Sequence, residues 1–221
     1  MRSLGLRWLV IGGTCVLLAL APAWPQAINL NAELIAAVRS GNLARVTTLL
    51  EQGADPHSRN RLGDSTLNTA ARAGDLPLVR LLLERGADVE QANLSQVTPL
   101  MSAAFGGHAA VLAELLAHRA AVDPVDRVHK TAMIYAAGNG CADCVRQLLD
   151  AGADVNARYD AGATALMWAA AYGKVDALRT LLARGADVDV RDARGKTALA
   201  IAAEQQEAAA VKLLREAGAK P

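Results

Sequence analysis

Large aromatic side chains are scarce in this chain: one Phe, three Trp and three Tyr, 3% of 221 residues. A single globular core of that length normally draws on more large rings, so one thick core is not expected. Charge of one sign is scarce as well. The 23 Lys and Arg face 22 Asp and Glu, for a net +1, which argues against a globally basic nucleic-acid binder. Hydrophobic residues make up 52% and charged residues 20%, which excludes the low-hydrophobicity, high-charge pattern of a disordered chain. Enzyme signatures are missing: there is no Gly-x-Ser-x-Gly elbow, no His-Glu-x-x-His and no Walker loop. No catalytic residue and no cofactor is assigned. The four His (His57, His108, His118, His129) have no zinc-like spacing, so they read as surface or local capping residues and no metal site is assigned. What the chain does have is Ala, Leu and Val beside 18 Gly, the composition of short helices packed closely.

An uncharged apolar run, Trp8 to Leu20, follows Arg2 and Arg7 and ends at Ala21-Pro22-Ala23. A positive start, an apolar run and small residues at the end form the pattern of an export signal. Cleavage after Ala23 makes 1–23 a signal peptide and 24–29 a short linker. The run is shorter than the ~20 apolar residues of a spanning helix; an uncleaved membrane anchor is the alternative. Cys15 lacks the Leu usual ahead of a lipoprotein Cys. The expected location is exported and periplasmic, in a Gram-negative-type cell, with no membrane contact after cleavage.

Self-similarity organises the rest. Gly-Ala-Asp recurs at 53–55, 86–88, 152–154 and 185–187, always at 33 residues or a multiple of it. Gly41, Gly74, Gly107, Gly140 and Gly173 repeat at the same step. A third column opens a helix in each unit: Ser65-Thr66-Leu67, Thr98-Pro99-Leu100, Thr131-Ala132-Met133, Thr164-Ala165-Leu166 and Thr197-Ala198-Leu199. In 162–194, Thr164 supplies a capping hydroxyl and Ala165 to Tyr172 reads as a short helix ended by Gly173. Val175, Leu178, Leu181 and Leu182 fall at helical spacing for a second helix, closed by Gly185. Asp187 to Gly195 is turn-rich, a hairpin-like finger. One such unit cannot bury its apolar face alone, whereas stacked neighbours can. The Ala pairs 70–71, 103–104, 136–137, 169–170 and 202–203 let successive helices approach closely.

The period, the Thr-Pro-Leu-like helix start and the Gly-Ala-Asp-Val-Asn end resemble ankyrin repeats over about residues 30 to 221. The resemblance implies an all-α solenoid of about six helix–turn–helix units with hairpin-like fingers: 30–62, 63–95, 96–128, 129–161, 162–194 and 195–221. The first unit lacks the Thr-Pro-Leu element and the last stops after its second helix, so both read as caps. The family's Pro survives only at Pro99. Its His after the Leu is replaced by Asn68, Met101, Ile134, Met167 and Ala200, a change expected to loosen the units.

Cys141-Ala142-Asp143-Cys144 is the one motif with redox chemistry. It follows Gly140 at the start of a second helix, where a Cys pair holds either a disulfide or a low-pKa thiolate. Its column partners make Cys141 exposed and Cys144 partly buried. In an oxidising compartment a local disulfide is expected. Thioredoxin-like activity would need a strand–helix setting that the repeat register denies. Asp187, Asp189 and Asp192 read as finger framework rather than a calcium loop, because acids recur there in other units.

Ankyrin-type partners lie across finger tips and the exposed edge of the first helices. Carried over by register, that surface holds Arg59, Arg61, Asp64, Ser95, Arg127, Lys130, Arg158, Asp160, Arg191, Arg194 and Lys196, with Arg72, Asn139 and Glu204 on the helix edges. Nine of these are basic and three acidic, which suits a protein partner with an acidic surface. Arg158 and Arg191, on adjacent fingers about 10 Å apart, are placed to grip two carboxylates. Phe105 and Tyr172 face the same concave side, while Tyr135 and Trp168 read as packing between units. The function expected is a non-enzymatic protein–protein interaction module. The alternatives are a small thiol–disulfide factor using Cys141 and Cys144, or a membrane-tethered scaffold. Few exposed rings and an exported location speak against nucleic acid.

Overall fold

The computed structural model describes residues 29–220. The expected signal peptide and nearly all of the linker lie outside those residues. Twelve α-helices follow one another in pairs among the described residues. The first helices of the pairs are α1 (Leu30–Arg39), α3 (Thr66–Ala73), α5 (Pro99–Gly106), α7 (Ala132–Asn139), α9 (Ala165–Ala171) and α11 (Ala198–Glu204). The second helices are α2 (Leu43–Glu51), α4 (Leu76–Glu84), α6 (Ala109–Ala117), α8 (Ala142–Asp150), α10 (Val175–Ala183) and α12 (Ala208–Glu216).

Local chemistry sets the helix ends. The hydroxyls of Ser65, Thr98, Thr164 and Thr197 accept the N–H three residues on, at 3.0 to 3.4 Å, satisfying an orphan donor of the first turn. The opposite ends of α3, α5 and α7 turn at Gly74, Gly107 and Gly140, each left-handed. Where the column has no glycine, Gln206 adopts the same conformation at φ 60°.

Odd-numbered helices stack in one layer and even-numbered helices in another. The core between the layers is a row: Leu49, Leu82, Leu115, Leu148, Leu181 and Leu214 are spaced by one period and all fully buried. The Ala pairs 70–71, 103–104, 136–137 and 169–170 are buried at the contacts of successive first helices, while in the last pair Ala202 is buried and Ala203 exposed. The all-α solenoid read from the sequence is the fold found.

The expected loosening at the family's His position is not uniform. Asn68 donates from Nδ2 to the carbonyls of Gln91 and Val97, 3.0 Å each, and accepts from Ser102. It ties its helix to the next finger. Met101, Ile134 and Met167 replace polar bonds with buried apolar surface.

Fingers connect the pairs. Asn60, Asn93, Asp126 and Asp192 occupy one column, and the Oδ1 of each accepts the N–H groups two and four residues on. This closes a tight turn without a strand ladder. Tyr159 breaks the column. Its finger forms a short 3-10 turn, Asp160–Gly162, with Ala161 left-handed at φ 53°. Tips are joined by backbone rungs from Leu94 N to Leu62 O, Arg127 N to Ser95 O and Ala193 N to Ala161 O, at 3.4, 3.0 and 2.7 Å. Among the described residues no such rung joins Asp160 to Val128.

Candidate functional site

All five aromatic residues among those described, Phe105, Tyr135, Tyr159, Trp168 and Tyr172, fall between positions 105 and 172. Four of them meet along the first helices, beside the fingers. Phe105 meets Tyr135 edge-on, with centroids 5.7 Å apart. Trp168 stacks on Tyr172 at 6.0 Å and 25°. The Lys130 ammonium lies 4.4 Å above the Trp168 ring and 5.8 Å from that of Tyr135, in cation–π contact. Phe105 and Tyr172 stay 59% and 54% exposed.

The elements explain the gathering. Tyr135 and Trp168 hold the same position on successive first helices, α7 and α9, and Lys130 precedes α7 on its finger. Gly138 lies opposite, inside α7. A Cβ there would come 3.7 Å from the Tyr172 ring, an ordinary contact distance, and Gly138 lines a hollow with Phe105, Trp168 and Tyr172. The cleft has a volume of about 480 Å³ between fingers and first helices, walled by Lys130, Ile134, Tyr159, Trp168, Tyr172 and Arg194 among others. A neighbouring hollow of about 350 Å³ runs to Phe105.

Hydrogen bonds hold the walls. Tyr135 donates its phenol to Asp126, whose carboxylate is buried and accepts the Val128 and Lys130 N–H groups. Burial, and then the Asp126 carboxylate, push the Tyr135 phenol well above its ordinary value. Burial raises the Tyr159 phenol too. At Asp192 burial works upward but is outweighed by the Lys196 N–H and by the Arg194 guanidinium and N–H, so its carboxyl lies below its ordinary value.

The predicted cations behave less alike than their register suggested. Arg59 donates to the Ala92 carbonyl at 2.6 Å and to that of Gly63. Arg158 donates to the Arg191 carbonyl at 2.6 Å, and Arg191 to that of Gly195 at 2.9 Å. Arg158 is therefore a strut between fingers, not one jaw of a parallel pair. Arg194 grips Asp192 and Lys196 pairs with Glu204 at 2.7 Å. Arg72 sits 3.9 Å from Asp64. Among the described residues Arg61, Arg127 and Lys130 make no ion pair.

The cysteine sulfurs lie 2.11 Å apart. Cys141 is half-buried rather than exposed, and Cys144 is fully buried rather than partly so. The reason is stacking: Cys141 packs toward Gly107 of the preceding unit. Its sulfur also caps α8 by accepting the Cys144 N–H at 3.1 Å. His108 is not a free surface group: it caps the C-terminal end of α3 from the next unit. Its Nε2 lies 3.0 Å from the Arg72 carbonyl, and its ring fills the space beside Gly74 and Gly106. The column Asp55, Asp88, Asp154 and Asp187 forms turns by accepting the N–H two residues on. No three His, Cys, Asp or Glu among the described residues are grouped to hold a metal. None of the described helices is long and apolar enough to cross a membrane.

Sequence reading took Tyr135 and Trp168 for packing residues and passed over Tyr159. The available signal was their bunching in a chain otherwise poor in rings. A search of curated proteins gave no match. Family models for ankyrin repeats match residues 34–126 and 67–159 with three copies, and residues 148–202 with the many-copy form. With those matches spanning most of a chain built as a stack of paired helices and fingers, the protein belongs to the ankyrin-repeat family.

Proposed function

We propose that the chain is an exported, non-enzymatic protein-interaction module that presents its concave ring cleft to another protein in the periplasm. The observation that carries this reading is the gathering of Phe105, Tyr135, Trp168 and Tyr172 around one hollow, with Trp168 and Tyr172 also walling the larger cleft beside it. Solvent-facing rings with few rotatable bonds are the usual anchors of protein interfaces. Supporting the choice of compartment are the export-type N-terminus and a cysteine pair at bonding distance. The half-buried Cys141 and buried Cys144 favour a staple over a redox centre, since exchange needs an accessible thiolate.

The test places a photo-crosslinking amino acid at Tyr172 on the concave face and, separately, at Arg80 on α4, in cells making the full chain. A discrete protein adduct is expected from position 172 and not from position 80. It should persist in Cys141→Ser/Cys144→Ala and vanish in Gly138→Leu, where the new side chain fills the hollow between the four rings. Equal adducts from both faces, or none at 172, would overturn the assignment. Mass spectrometry of the exported protein should give an N-terminus near Trp24; an intact Met1 in the membrane fraction would support a tethered scaffold instead.

A further inference from the structure

The ties between fingers are interrupted at one place, and the ring cleft lies there. Among the described residues three of the four junctions between adjacent fingers carry a tip rung, and two of those three also carry an arginine strut, from Arg59 or Arg158. Between the fingers of Asp126 and Tyr159 both are missing. The strut position holds Val125, which has no donor to offer. The rung from Asp160 N–H to the Val128 carbonyl is not formed among the described residues. Tyr159, in place of the Asn or Asp of other fingers, turns the tip into the Asp160–Gly162 bend. Hollows lie on both sides of this finger, about 480 Å³ toward the helices and about 370 Å³ toward the outside, the second between Val125, His129, Arg158 and Tyr159.

Charge at the seam has one dominant sign. Lys130 is half-buried in the cleft, over two ring faces, with no carboxylate within ion-pair distance among the described residues. Arg127 and Arg158 stand exposed at the tips on either side, against the exposed Asp160. The buried Asp126 and Asp192 carboxylates are already taken up by Tyr135, Arg194 and backbone N–H groups. A cationic ligand is disfavoured, because Lys130 already occupies the ring faces that would receive it.

Resting on the interaction-module reading, we infer that the seam receives one extended peptide segment of the partner, with an apolar side chain in the cleft and a carboxylate on Lys130. The apolar group covers Trp168 and Tyr172. The carboxylate gives the half-buried ammonium a counter-charge in a partly dried site, where a pair counts for more than at an open surface. The partner's backbone lies along the gap where the solenoid leaves its own rung unmade.

Random twelve-residue peptides displayed on phage, selected on the purified protein, test this directly. Enriched sequences are expected to carry Leu, Ile, Phe or Trp with Asp or Glu within three residues. For the best synthetic peptide, Lys130→Met should raise Kd about ten-fold and flatten its salt dependence. Trp168→Ala should abolish binding. Arg179→Glu, an exposed charge on the second helix α10 and away from the cleft, should change Kd less than two-fold, roughly the effect of a remote exposed charge. Enrichment of basic or uncharged sequences, no enrichment, or a Kd indifferent to Lys130 would overturn the inference. If adducts still form at position 172 while the selected peptides lack acids, this inference fails and the interaction-module reading stands.

Discussion

Leu148 sits in the middle of the leucine row, fully buried on α8. Leu148→Ala deletes three carbons from that site. At ~0.8 kcal/mol per buried methylene the transfer loss is ~2.4 kcal/mol. Helices above and below hold the space open, so a cavity contribution adds to this and the total falls in the ~2–5 kcal/mol range of buried leucines. α8 touches α6 and α10, and in a stack the damage travels only through such contacts. Urea melts followed by far-UV circular dichroism should therefore shift as one transition to lower midpoint, with the slope kept. Leu213→Ala, at a half-buried position on the last helix, should cost less and loosen only the end of the stack. An unchanged midpoint for Leu148→Ala, or a loss no greater than that of Leu213→Ala, would refute the leucine row as the shared core.

Other substitutions probe the joints. Gly74→Ala meets a φ of +74° and puts its Cβ 2.4 Å from the His108 ring; it should cost more than ~1 kcal/mol, part of it recovered when His108→Ala is added, as read from urea midpoints. Ala161→Gly relieves a left-handed alanine at φ 53° and should raise stability by up to about 1 kcal/mol; a lower melting temperature would refute the strain. Asp192→Asn keeps the acceptor that Asn60 and Asn93 use in their fingers and loses the charge. Because the folded carboxyl lies below its ordinary value, its contribution is full above the unfolded value near ~3.9 and fades as pH falls through the lower folded one. The variant should thus show a shallower acid limb below about pH 4, and an identical limb in acid titration would count against the Arg194 pairing. Cys141→Ser/Cys144→Ala opens a loop of four residues and should cost no more than ~2 kcal/mol in denaturant melts.

Much of the site was legible because a repeat reports each position several times. Register placed Phe105, Lys130 and Tyr172 on the face where they are found. Arg158 was misjudged in its geometry, because register locates a Cα but not the reach of a long side chain. Its guanidinium found the carbonyl of Arg191, one period on, a partner that exists only once the fingers stack. Cys141 was misjudged for the same reason: polar column partners suggested exposure, but burial depends on the Gly107 that faces it from the preceding unit.

Periodicity alone determined the helix pairs, the capping hydroxyls, the left-handed glycines and the leucine row. Each unit has to solve the same problem of burying one apolar face against its neighbours, and a solution repeated five times is visible along the chain. Tertiary structure alone decided the cleft. Lys130 over Trp168, the missing rung between Val128 and Asp160, and the hollow that Gly138 lines with Phe105, Trp168 and Tyr172 join non-equivalent residues of different units. Such contacts have no period to betray them, and they come into being only when the fingers fold across the first helices.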